Sequence, residues 1–178
     1  MINNYKALLV KIEKTTQQKS LDLSSDEDLS IGIMNLISIE EHLFFTSQKT
    51  GKARYLDLLN EVRLMRTELL KKIIKDYEGE VWCISKHLLA ATMRLIEVGT
   101  KELKKGNKKE AWDLFEKAYK LYSLFWGINL GIAKIPSIKS QKANNVQMIN
   151  DHNKKTDKTS VFDKLGDMIK KAVDCCKE

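Results

Sequence analysis

A chain of 178 residues with net charge +7, 43% hydrophobic and 31% charged, is long enough for one domain with a sizeable core. One proline and eight glycines leave too few turns for a sheet protein of this size, so the composition points to helices. No stretch approaches the roughly 18 apolar residues that span a bilayer, and no apolar run with a small-residue cleavage site follows Met1, so neither a membrane segment nor a signal peptide is expected.

Residues 2–14 fit a short amphipathic helix, with Ile2, Leu8, Leu9 and Ile12 on one side. A polar stretch follows. The run Ser24-Ser25-Asp26-Glu27-Asp28 is a helix start, with a serine to cap free N–H groups and acids facing the positive end of the dipole. That helix is expected to stop at Thr50-Gly51. The next, over 52–76, carries Tyr55, Leu58, Val62, Met65, Leu69 and Ile73 as its inner stripe. Arg54, Arg63, Arg66, Lys71 and Lys75 fall on the opposite face.

A break at 77–79 precedes a third helix over 80–105, apolar on nearly all sides between Val81 and Val98. A helix of that kind is buried, so it is expected to be central. Gly106-Asn107 ends it, the glycine suiting a left-handed C-terminal position and the asparagine capping the next helix. The fourth helix, 108–133, has the stripe Ala111, Phe115, Ala118, Tyr122, Phe125, Asn129 and Ile132. Pro136 closes it. The four helices are each about 25 residues or roughly 37 Å long, and the short turns make neighbours antiparallel. The fold class is therefore all-α, an up-down-up-down four-helix bundle over 1–136. Residues 137–158 are polar and aperiodic, a flexible linker. An amphipathic helix in 159–178 follows, with Val161, Phe162, Leu165, Met168, Ile169, Ala172 and Val173 in its stripe.

Residues 92–125 resemble one unit of a tetratricopeptide repeat. Gly99, Gly106, Ala111, Phe115 and Ala118 match its small and aromatic positions, while Glu102 stands where the pattern has an aromatic. No second unit occurs, and such repeats need neighbours to bury their faces. What the resemblance implies is a helical hairpin whose glycines and alanines let two helices approach closely.

Candidate chemistry concentrates on the third helix. Cys83, His87 and Arg94 lie near one face of it and are expected to point inward. Cys83 and His87 form an i, i+4 pair, half of a zinc site. Asp28 or Glu27, or Cys175 and Cys176 from the last helix, could complete it. Folding the helices back on one another puts Arg94 level with Glu61 and with Glu40 or Glu41, a polar layer that either fixes register or holds a small anion. No glycine-rich phosphate loop, G-x-S-x-G elbow, H-E-x-x-H or Glu-x-x-His motif occurs, and His42, His87 and His152 are far apart.

Charge is uneven. Residues 1–50 hold 5 Lys/Arg against 7 Asp/Glu, 51–133 hold 16 against 11, and 134–178 hold 10 against 6. The lysines alternate with acids at helical spacing, which describes a solvated face rather than a nucleic-acid surface. Three cysteines, two of them adjacent, are no disulfide framework, and a reducing, cytoplasmic location is expected. The reading is a non-enzymatic interaction or scaffold module that meets a protein partner, or itself, through the C-terminal helix. The alternative is a bundle binding metal through Cys83 and His87, or a small anion through Arg94.

Overall fold

Glycines in the left-handed region fix where the helices end. Gly51 has φ +64°, Gly79 +78°, Gly106 +86° and Gly131 +69°, values that side chains with a Cβ rarely adopt. Between them the computed structural model places α1 at Ser24–Thr50, α2 at Arg54–Ile73, α3 at Glu80–Lys104 and α4 at Lys108–Asn129. The described residues are 23–75, 79–133 and 165–167. The N-terminal helix at 2–14, the linker at 137–158 and most of the C-terminal helix lie outside them.

The fold is the expected antiparallel bundle of four long helices, assembled from two hairpins. In the first, α1 packs along α2; in the second, α3 packs along α4; the hairpins meet mainly through α1 and α3. The shared core draws only on one end of each helix. Ile33 and Met34 come from the N-terminal half of α1, and Leu70 and Ile73 from the end of α2. Leu88 and Leu89 come from the first half of α3, and Tyr122, Phe125 and Trp126 from the end of α4. Their rings interlock, with Phe125 and Trp126 edge to face at 5.1 Å between centroids. A hydrogen bond ties the hairpins here. Ser30 Oγ donates to the Glu27 carbonyl at 2.7 Å, so the Tyr122 hydroxyl, also 2.7 Å away, donates to Ser30. Burial, the larger effect, pushes the Tyr122 phenol above its ordinary pKa, although the bond with Ser30 acts the other way.

The second hairpin is close-packed where the repeat-like pattern implied it. Ala111 and Ala118 are buried. A Cβ on Gly99 would stand 2.6 Å from Phe115 Cε1. Gly99→Ala therefore meets two opposed effects. The helix gains about 1 kcal/mol of propensity, while displacing the Phe115 ring costs about 1–3 kcal/mol. A net loss of stability in urea melts is expected, and Phe115→Leu in the same chain restores it. A stabilised Gly99→Ala would show that the ring yields freely.

Three local expectations need correction. Ser24 is already helical: the cap position belongs to buried Leu23, whose carbonyl accepts from the Glu27 N–H at 2.7 Å. Asn107 makes no side-chain cap; its amide donates to Glu102 Oε2 at 2.7 Å and closes the turn backwards. The third correction is α2's inner face, which is rotated. Leu59, Arg66, Leu70 and Ile73 are buried, whereas Leu58 and Met65 are exposed.

Candidate functional site

The residues singled out on α3 do not point inward together. Ser85, Leu88, Leu89, Thr92 and Gly99 are the buried positions of that helix. Cys83 is nine residues from Thr92, about 180° round at roughly 100° per residue, and it is exposed, as is His87. Buried Ser85 accepts a hydrogen bond from the Asn129 side-chain amide, 3.1 Å away. Among the described residues no group of three or more His, Cys, Asp or Glu is gathered as a metal site. Cys83 and His87 thus offer two ligands on an open face, short of the three or four that zinc takes. Asp28 and Glu27 belong to no such group, and Cys175 and Cys176 lie outside the described residues.

Arg94 pairs with Glu41, bridging α3 to α1 at the height expected. Both side chains are nearly half exposed, a setting in which an ion pair contributes about 0–1 kcal/mol. Glu61 is exposed on α2 and takes no part in this pair.

The buried ionic cluster lies elsewhere, between α1 and α2. Glu40 accepts from Arg66 Nε at 2.8 Å and from Arg63 Nε at 3.0 Å. Arg66 is only 6% exposed and Glu40 8%. Burial raises the Glu40 carboxyl, but the hydrogen bonds and charges of Arg66 and Arg63 outweigh it and hold its pKa below the ordinary value. Arg66 had been placed on the outward face with Arg63. The signal that finds it is on α1: Ile33, Glu40 and Ser47 recur every seven residues, so an acid interrupts a buried line and requires a cation from the facing helix.

Beyond these ion pairs the two hairpins share no core among the described residues. Three lines of side chains that are covered at the closed end run on uncovered toward the hairpin tips. On α1, buried Met34 and half-buried Ile37 lead past Glu41 to Phe44 and Phe45, rings edge to face at 5.3 Å. On α2, half-buried Leu69 leads to Met65 and Leu58. On α3, buried Leu89 and half-buried Met93 lead to Ile96 and Leu103. Phe45 is 59% exposed, Met65 51% and Leu103 49%. The steps of three and four keep each line on one side of its helix. Trp112, at the start of α4, is 74% exposed. Sequence periodicity had counted Leu58 and Met65 as core.

Residues 165–167 of the C-terminal segment rest on the fourth helix. Leu165 is buried against Gly127, and the Tyr119 hydroxyl donates to the Gly166 carbonyl at 2.8 Å. The described part of that segment rests on its own chain. No described helix is long and apolar enough to cross a membrane. Comparison with protein-family models, with curated proteins and with solved structures found no match.

Proposed function

We propose that this chain is a helical interaction module and that its binding surface is the open half of the bundle. One observation carries the reading: the apolar lines of α1, α2 and α3 that form the core at one end continue uncovered at the other. Contiguous exposed apolar side chains of this kind mark interaction sites. The surface lies along helices, so an inserted helix could complete the bundle there by ordinary helix packing.

The reading differs from the sequence expectation in which part of the chain recognises the partner. The C-terminal helix was the expected recognition element; in this reading the exposed stripes near the tips take that role, and Leu165, the apolar residue of that helix among the described residues, is buried.

Site-specific photo-crosslinking in cells tests it. A photoreactive phenylalanine at Phe45 or Leu103 is expected to give discrete adducts that Met65→Glu removes. The same probe at Asn35, exposed on α1, is expected to give none. Equal labelling at all three positions, or at Asn35 alone, would refute the proposal.

A further inference from the structure

The charges beside the open half carry the reading further and select its partner. Residues 44–66 hold five Lys/Arg against two Asp/Glu, and residues 94–117 hold seven against five. Three of these cations are already matched, Arg63 and Arg66 by Glu40 and Arg94 by Glu41, and with residues 40–43 included the first stretch holds five Lys/Arg against four Asp/Glu. Much of the charge near the tips is internally paired, Lys101 with Glu97, Lys105 with Glu102 and Lys117 with Asp113. Lys49, Lys52, Lys104, Lys108 and Lys109 have no ion-pair partner among the described residues. They stand within a few residues of Phe45 and Leu103.

Resting on the interaction-module reading, we infer that the open half receives an acidic amphipathic helix of a partner protein, its apolar stripe on Phe44, Phe45, Leu58, Met65, Ile96 and Leu103 and its carboxylates toward the tip lysines. The chain's longer segments outside the described residues do not complement the surface: residues 1–22 hold four Lys/Arg against two acids, residues 134–164 seven against three and residues 168–178 three against two. Two copies meeting tip to tip would likewise oppose positive ends. A flat anionic membrane matches the charge but not the shape. Leu58 and Met65 lie seven residues apart, about 10 Å along the arm rather than at its end.

The test uses the full-length chain and two synthetic 18-residue helices with identical Leu/Phe stripes, one bearing glutamates on its polar face and the other lysines. Binding is followed by fluorescence anisotropy and by methyl NMR of the leucine, isoleucine and methionine side chains. The glutamate peptide is expected to bind about tenfold or more tighter than its lysine twin at low salt and to shift the Leu58, Met65, Ile96 and Leu103 methyls. The advantage should shrink as salt is raised. It should also be lost in Lys49→Glu/Lys104→Glu, with helicity unchanged. If both peptides shift those methyls with equal affinity, the acidic-partner inference fails while the interaction surface stands. If neither shifts them, the surface itself fails. Concentration-dependent dimers in sedimentation, removed by Phe45→Glu, would overturn the inference in favour of a second copy. Co-sedimentation with phosphatidylserine vesicles, removed by the same change, would overturn it in favour of a membrane.

Discussion

Glu40→Ala is expected to lower the unfolding free energy by about 3–5 kcal/mol, the cost of leaving a buried charge without its partner. The stranded group is Arg66, whose side chain is 7% exposed beside α1. Arg63 can turn to solvent, being 53% exposed, and suffers little. Replacing both members of the buried pair is a different experiment. Glu40→Leu with Arg66→Met removes the desolvated charges together and is expected to recover most of the loss. Urea melts of the two single variants and the double variant give the comparison. A Glu40→Ala loss below about 1 kcal/mol would mean that water reaches the Arg66 guanidinium.

The same pair sets a pH dependence. The folded-state pKa of Glu40 is depressed, so the stability it contributes is fully present above the unfolded value, about 4.3. It is lost as pH falls through the lower folded value. The stability gap between wild type and Glu40→Ala should therefore stay constant from pH 7 to about 5 and narrow below about 4. A gap that widened on acidification would reverse the sign and refute the assignment.

Phe125→Ala is the second large effect, at about 3–5 kcal/mol for a fully buried aromatic. Its ring lies parallel to Tyr122 at 6.3 Å and edge to face with Trp126, so the cavity opens where the hairpins join. Trp112→Ala, on the same helix but exposed, should change stability by less than about 0.5 kcal/mol. Thermal melts of the pair report whether stability is concentrated at one end. Equal losses would contradict a core confined to that end.

The order and length of the helices were legible because the breaks are chemical: Gly51, Gly79 and Gly106 stand where the backbone turns left-handed. The inner stripe of α4 was legible for a related reason. Its small residues Ala111 and Ala118 can only serve close approach, and both are buried. The face of α2 was not legible. Leu56, Leu58, Leu59, Leu64, Met65, Leu69 and Leu70 spread apolar character over a wide arc, so a stripe through Leu58 and Met65 scores as well as one through Leu59 and Leu70. The choice rests on Glu40, which draws Arg66 inward from the facing helix. Helix α3 misled for the same reason. An all-round apolar helix fits a central position, but it equally fits one covered along a single face, and Cys83 and His87 lie off that face even at its covered start. Cys83, His87 and Arg94 looked costly only because complete coverage was assumed.

Confining the shared core to one end makes that end a fulcrum. From Glu41 the first hairpin projects nine more residues before Gly51, roughly 13 Å of stiff helix at 1.5 Å per residue. A tilt of about 10° about Met34 in the joint would carry Phe45 through about 3 Å and the Gly51 tip through about 4 Å. Small adjustments among Met34, Leu89 and Trp126 are thus magnified into the width of the gap between the tips. Such a tilt would make the two hairpins jaws hinged at the aromatic end, with the half-exposed Glu41–Arg94 pair only a weak tie between them.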